Sequence, residues 1–362
     1  MIPSYRVINF NAGPATLPPE VLKEASDAII DYAGTGTSIL SIPHRGKHFD
    51  AILEESKALV KELCELDDDY EVLWMQGGGR LQFAMVPMNF LGKDDTAGYI
   101  DSGRWSADAI KNALHYGKVN VLSSSKDENY TQLPEWPKKI PNDLAYLHIT
   151  TNNTIHGTQL KKIPSTDVPL IADLSSDIFS RQIKYNRFSL FYAVAQKNIG
   201  PAGATLVVVK KKMLKRVART LPPILDYRQH VDKNSVLNTP PVFSIYVSLL
   251  TLRWIKAKGI AAIEAENERK AALLYDEIKR NALFSSAIKK SDRSTMNVCF
   301  ETVNEETVLL FVKYAEENGI INIKGHRKRG GLRVSLYNGI SLSDVQYLVA
   351  VMQQFEQNLN KR

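Results

Sequence analysis

Short apolar runs alternate along the first two thirds of the chain with stretches of helical spacing. The runs fall at residues 70–75, 96–100, 119–122, 145–149, 170–173, 190–193 and 204–209. Between them, residues 49–63 place Ile52, Leu59, Val60 and Leu63 on one face of a helix, and a shorter helix is expected over 106–114. Nearly continuous apolar strands separated by helices predict a mostly parallel sheet covered on both faces. Upstream, residues 7–14 read as a short extended piece ending in a turn. Thr16 is the expected N-cap of a following helix, with Pro18-Pro19 in its first turn. After Ser244 the pattern changes. Helices are expected over 245–256 and 261–278, then strands at 296–300 and 332–336, with helices near 306–318 and 343–355. That order predicts a smaller α+β region. No internal repeat and no long linker interrupts it.

The length, 362 residues, is that of two domains at roughly 150 residues each. Hydrophobic residues at 44% and charged residues at 23% exclude a disordered chain, which could not offset its chain entropy by burial. No apolar run approaches the ~18 residues of a membrane span. Met1 to Arg6 lack the basic-then-apolar pattern of a signal peptide. Cys64 and Cys299 are too few for a disulfide framework or a zinc site, and read as free thiols in a reducing cytoplasm. No metal site is expected. Lys plus Arg is 46 against 39 Asp plus Glu, a net charge of +7. That excess suits a nucleic acid, an acidic membrane or an anionic small molecule. The basic clusters (Lys138-Lys139, Lys161-Lys162, Lys210 to Lys212, Lys289-Lys290) are short and dispersed, without interleaved aromatics, and read mainly as solvated surface.

Candidate chemistry narrows the choice. Gly77-Gly78-Gly79-Arg80 lies between a strand and a helix, where glycines admit close backbone approach, free N–H groups face an anion and Arg80 adds a forked donor. It is neither a dinucleotide fingerprint nor a Walker loop, and alone it is equally a ligand-free turn. Asp173 ends an apolar strand, the place where α/β sheets bind ligands, and reads as a ring-nitrogen partner or a helix cap. Lys197 follows another strand, between small residues and a Gly-Pro turn. A buried amine there would have a lowered pKa and attack carbonyls. An imine-forming lysine with an aspartate for a pyridinium nitrogen is what pyridoxal phosphate requires. Trp105 could stack on such a ring. His44-Arg45, His326-Arg327 and Arg333 lie beside glycines or on a strand, as expected of anion recognition.

Over nearly its whole length the chain resembles the phosphoserine aminotransferase family, a class V branch of the fold-type I pyridoxal-phosphate enzymes. The resemblance rests on Phe10-Asn11-Ala12-Gly13-Pro14, His44-Arg45-Gly46, Gly77 to Phe83, Asn152 to Ile155, Ala172 to Ser176, Asn238 to Pro241 and Gly325-His326-Arg327. Its most specific string is Gln196-Lys197-Asn198-Ile199-Gly200-Pro201-Ala202-Gly203. It implies an α/β fold with a large cofactor-binding domain, residues 16–258, on a mostly parallel sheet covered by helices. A smaller α+β domain would be formed by 1–15 and 259–362. It implies pyridoxal 5′-phosphate as cofactor, with Lys197 and Asp173 catalytic. Gly79, Arg80, Trp105, Thr154 and Gln196 would contact the cofactor, and Asn238 and Thr239 would reach it from the neighbouring subunit of a homodimer. Arg333 would grip the substrate α-carboxylate. His44, Arg45, His326 and Arg327 would bind a phosphate or a side-chain carboxylate. The implied reaction is cytoplasmic, reversible, ping-pong transfer of the amino group of L-glutamate to 3-phosphohydroxypyruvate, giving O-phospho-L-serine and 2-oxoglutarate for serine biosynthesis. 4-Phosphohydroxy-L-threonine, an analogue used in pyridoxine biosynthesis, is a further implied product. Where some relatives carry a serine, this chain has Ala12, which offers only its backbone.

Other readings are open to the sequence. Serine–glyoxylate transamination has no need of two His-Arg pairs, and cysteine desulfuration needs a mobile cysteine. A basic protein binding RNA would account for the charge alone.

Overall fold

The computed structural model describes residues 7–217 and 219–360. The leader-free reading of Met1 to Arg6 therefore lies outside the described residues. The strands are β1 (Ile8–Asn9), β2 (Tyr70–Met75), β3 (Thr96–Asp101), β4 (Lys118–Ser124), β5 (Leu147–Thr150), β6 (Leu170–Asp173), β7 (Leu190–Val194), β8 (Thr205–Lys210), β9 (Phe284–Ser285), β10 (Asn297–Thr302), β11 (Ile320–Ile321) and β12 (Leu332–Ser335). The helices are α1 (Pro19–Ile30), α2 (Lys47–Leu63), α3 (Gly78–Phe90), α4 (Arg104–Ala113), α5 (Ala195–Asn198), α6 (Lys211–Leu214), α7 (Tyr227–Asp232), α8 (Val242–Lys258), α9 (Ile260–Arg280), α10 (Glu305–Glu317) and α11 (Leu342–Asn360).

Seven strands form one sheet in the order β2-β8-β7-β6-β5-β3-β4. Only β8 runs against its neighbours; the pairs from β7 to β4 are parallel. The two-residue period of a strand sends alternate side chains to two cores. Trp74, Ala172, Phe191 and Leu206 face the core under α1, α2 and α8, while Leu73, Ile171, Tyr192 and Val207 face the one under α3 and α4. That is why these runs are continuously apolar. Helix α8 is apolar on nearly all sides, with Ile245 through Leu252 buried, as a helix enclosed by neighbours must be.

A third core gathers Phe10, Leu274, Phe300, Phe311, Val334 and Phe355 from α9, β10, α10, β12 and α11. β1 pairs in parallel with β11, so the N-terminal segment lies against the C-terminal region. Helix α1 starts differently from expectation. Its N-cap is Pro18, with no side-chain cap, and Pro19 is the first helical residue. Thr16 Oγ1 instead donates to the Asn9 carbonyl at 2.8 Å, pinning the incoming strand. Proline at the first position needs no N–H partner, so the cap is dispensable.

Candidate active site

Parallel strands deliver their carboxyl ends to one edge of the sheet, and the loops there build the site. β2 leads to Gly77, β3 to Trp105, β5 to Thr154, β6 to Asp173 and β7 to Lys197. A cavity of about 270 Å³ is lined by Gly79, Arg80, Trp105, Asp173, Gln196 and Lys197, together with Gly77, Gly78, Phe83, Ser175 and Val194.

Gly77 turns the chain at φ +85°, where an added Cβ would lie 2.4 Å from Leu81 Cδ2. The turn aims the first N–H groups of α3 into the cavity. Trp105 is held by a tight loop: Ser106 Oγ accepts from the Ser102 and Gly103 amides at 3.0 and 2.9 Å, and donates to Asp101 at 3.0 Å. The indole face lies 5.7 Å from Lys197 Nζ and 5.5 Å from the Arg80 guanidinium. Its Nε1 is buried without a partner among the described residues. Asp108 sits behind both cations of this corner, 3.0 Å from Arg104 and 3.7 Å from Arg80.

Lys197 lies in the one-turn helix α5 and donates to Thr154 Oγ1 at 2.7 Å. Burial lowers its pKa to about 8; the Asp173 charge opposes that shift and the Arg333 charge adds to it. Asp173 is buried, which pushes its carboxyl up, while the charge of Lys197 and bonds from Ser175 pull it down. The Ser175 amide donates to its Oδ1 at 2.9 Å. Beside them runs the N-terminal segment: the Ala15 amide donates to the Gln196 carbonyl at 2.8 Å, and Tyr337 to the Ala12 carbonyl at 3.1 Å.

Thr154 also links Arg333, whose Nη1 donates to the Thr154 carbonyl at 3.4 Å and whose buried Nε has no partner among the described residues. His326 is near this group: burial and the charges of Arg333, Arg327, Lys328 and Arg104 depress its pKa. Arg327 is exposed next to it. Asn238 and Thr239 do not line the cavity of their own chain. Asn238 Nδ2 donates to Gln76 Oε1 at 2.5 Å, and Gln76 Nε2 to the Thr239 carbonyl at 3.0 Å, on the surface beside the glycine loop. His44 and Arg45, in the loop before α2, do not line it either.

Three cavity residues have no role assigned from the sequence. Ser175 stood in the Ala172 to Ser176 string without a role, yet its Oγ also accepts from the Val194 amide at 3.3 Å. Phe83 and Val194 are apolar neighbours that any core position would resemble. His156 was also missed; it is packed on Tyr130 at 4.8 Å, with burial and the nearby Arg329 and His326 lowering its pKa to about 4.

The residues present suit an aromatic aldehyde phosphate. A low-pKa amine and a buried carboxylate share the cavity with an indole whose N–H lacks a partner among the described residues, and a helix N-terminus beside Arg80 offers donors to an anion.

Residues 7–348 match the family model of aminotransferase class-V. The phosphoserine aminotransferase of Flavobacterium psychrophilum is 47% identical over 353 residues, 97% of this chain and 99% of that protein. Among solved structures, phosphoserine aminotransferase from Bacillus circulans subsp. alkalophilus superposes with a TM-score of 0.95 at 42% identity, over 98% of this chain and 99% of its own. The pyridoxal-phosphate-bound enzyme from Trichomonas vaginalis gives 0.92 at 33% identity, over 96% and 100%. With this fold, this site and these relatives, the chain belongs to the class-V aminotransferases, pyridoxal-phosphate-dependent transaminases, and within them to the phosphoserine aminotransferases.

Proposed function

We propose that this chain moves the amino group of L-glutamate to 3-phosphohydroxypyruvate, giving O-phospho-L-serine and 2-oxoglutarate, and runs the reverse, in the biosynthesis of L-serine. The observation that carries the reading is the pairing of Lys197, an amine with its pKa lowered to about 8, with buried Asp173 in one cavity. Bound pyridoxal phosphate supplies the electron sink for charge developing at the substrate α-carbon.

The chain's own residues do the rest. Asp173 would hold the cofactor's ring nitrogen in its positive form by its charge. Lys197 would take the proton from the substrate α-carbon and deliver it two atoms along, to the cofactor's aldehyde carbon on the far side of the nitrogen; a pKa near working pH leaves both forms of the amine populated. Thr154 Oγ1, 2.7 Å from Nζ, keeps the amine on the substrate side. Trp105 would pack on the cofactor ring, and Arg80, Gly79 and Gln196 would hold its phosphate. Arg333 binds the substrate α-carboxylate. His44, Arg45, His326 and Arg327 bind the distal phosphate or carboxylate in turn, which suits a dispersed cationic group better than a single clamp.

The same pocket would accept 4-phosphohydroxy-L-threonine. Asn238 and Thr239, exposed beside the glycine loop, reach the phosphate of a second copy's cofactor, which makes the active unit a homodimer. Residues 16–258 act as the cofactor-binding domain. Residues 1–15 and 259–362 act as the smaller domain, as the separate core around Phe10 and Phe300 supports. Two buried, unbridged cysteines support a cytoplasmic setting. They also argue against desulfuration, because burial pushes both thiols up and away from the thiolate. Lys197→Ala tests the reading: it abolishes transamination and the visible absorbance of the loaded enzyme, and full activity in a folded variant would overturn it.

A further inference from the structure

The Lys197 cavity lies at the carboxyl ends of the strands. A second cleft, of about 340 Å³, is built by two segments that feed the amino ends of β6 and β7, residues 161–163 and 181–187. It shares no lining residue with the active site. Five cationic side chains line it, Lys161, Lys162, Arg181, Lys184 and Arg187, and no carboxylate does. Among the described residues only Arg181 of the five has a carboxylate within ion-pair distance, Asp177 at 3.2 Å.

The cleft is tied in place. Arg181 donates to the carbonyls of Leu160 and Lys161 at 2.8 and 3.1 Å, and Arg187 to that of Ile163 at 2.5 Å. Arg181 is nine-tenths buried, and its Nε has no partner among the described residues. Among the described residues Lys161 Nζ has only neutral acceptors, Gln159 Oε1 at 2.9 Å and the Arg293 carbonyl at 2.7 Å. Part of this lysine still meets solvent. Burial of its ammonium end, then the Arg181 charge, nevertheless lower its pKa to about 8, against partial opposition from Asp177, Glu268 and Asp292.

Lys161, Lys162, Lys184 and Arg187 are exposed, and Asp177 is the one carboxylate paired with the group among the described residues, so the cleft keeps a net positive charge. A single carboxylate would leave most of that charge unbalanced. A compact group with several oxygens and at least two charges would meet the free Arg181 Nε, the outer edge of the Arg187 guanidinium and point charges from the lysines. We propose that this cleft binds a small polyanion of the phosphate class, at a site separate from the transamination site. The proposal does not depend on the substrate assigned to Lys197.

The probe is inorganic pyrophosphate, titrated calorimetrically into pyridoxal-phosphate-loaded protein with L-glutamate and 2-oxoglutarate saturating the active site. One binding event per chain is expected. Lys162→Gln/Lys184→Gln/Arg187→Gln weakens it about tenfold or more, since three cation contacts are removed. Transaminase activity and the cofactor spectrum of the variant stay at parental values, because none of the three touches the Lys197 cavity. If the triple variant does not fold, Lys162→Gln and Lys184→Gln singly each weaken binding by about twofold or more. A bound anion favours charged Lys161, so binding near pH 8 takes up protons and its heat varies with the buffer's ionisation heat. Equal binding by parent and variants, or no binding to the parent, overturns the proposal. Retention of a DNA oligonucleotide without pyrophosphate binding overturns it too, in favour of a polymer-binding face.

Discussion

Lys197 sits between two opposed charges, and their removal should move its titration in opposite directions. Burial sets the main shift, to about 8; Asp173 raises the pKa and Arg333 lowers it. At the general range of about 4–6 Å over which a charge shifts a pKa, and an effective dielectric of about 20, a unit charge contributes about 3–4 kcal/mol, or about two to three pKa units. Water and relaxation reduce this, so a shift of about one to two units is expected for each change. Asp173→Asn should bring Lys197 down to about 6–7, and Arg333→Gln should bring it up to about 9–10. The double variant should return near the parental value if the two terms are independent. The assay is competitive acetylation of the apoprotein with trace acetic anhydride across pH, read by mass spectrometry on the Lys197 peptide. Asp173 is itself pushed up by burial, so the Asp173→Asn shift should emerge only above the pH where the parental carboxyl ionises. Shifts of the same sign, or none in either variant, would refute this account of the amine's reactivity.

Gly77→Ala forces a residue with a side chain to φ +85° and brings its Cβ to 2.4 Å from Leu81 Cδ2. A loss of about 2 kcal/mol in stability follows from the strained backbone and the displaced helix turn, and absorbance titration should show at least tenfold weaker cofactor binding. Gly79→Ala, whose Cβ would have its nearest neighbour at 3.6 Å, should keep the fold. Lys270 is buried, donates to the carbonyls of Leu336, Tyr337 and Ile340, and has its pKa lowered to about 7 by burial. Between pH 7 and the ordinary lysine value the unfolded chain binds the extra proton, so stability rises with pH. Relative to Lys270→Met, the parent's unfolding free energy should gain about 1.4 kcal/mol per pH unit between 7.5 and 9.5 and be level below 7, by denaturant titration. Mixing inactive Lys197→Ala chains with Asn238→Ala/Thr239→Ala chains should restore about a quarter of the activity through hybrid dimers with one intact site; no recovery with subunit exchange demonstrated would contradict the shared site.

Much of the sheet was legible because β5, β6 and β7 are buried on both faces and so read as unbroken apolar runs. The direction of β8 was not. Thr205 to Val209 present the same pattern whether the strand runs with its neighbours or against them, and only the short link after α5 decides it. Edge strand β4 was found from residues 119–122 although it is largely exposed, because its β-branched residues mark it. Thr16 misled because a hydroxyl before two prolines looks like a cap, while its partner, Asn9, is set by tertiary contact. Within the site, Lys197, Asp173 and the glycine loop stood out through unusual residue types at strand ends. Ser175 and Ser106 did not, since a serine that positions another side chain carries no local mark of doing so. The surface position of Asn238, Thr239, His44 and Arg45 could not be read from one chain's pattern of polar residues, which looks the same at a shared site and at a solvated loop.

The central claim is that the Lys197 cavity handles a phosphorylated amino acid. Its most direct test offers the loaded enzyme O-phospho-L-serine, L-serine, L-alanine and L-aspartate as amino donors to 2-oxoglutarate, with glutamate formation followed by a coupled assay. The account predicts efficient turnover of O-phospho-L-serine, with kcat/KM for L-serine lower by a hundredfold or more, since about 3 kcal/mol of charged contacts to the phosphate is lost. Equal or better turnover of L-serine would contradict it.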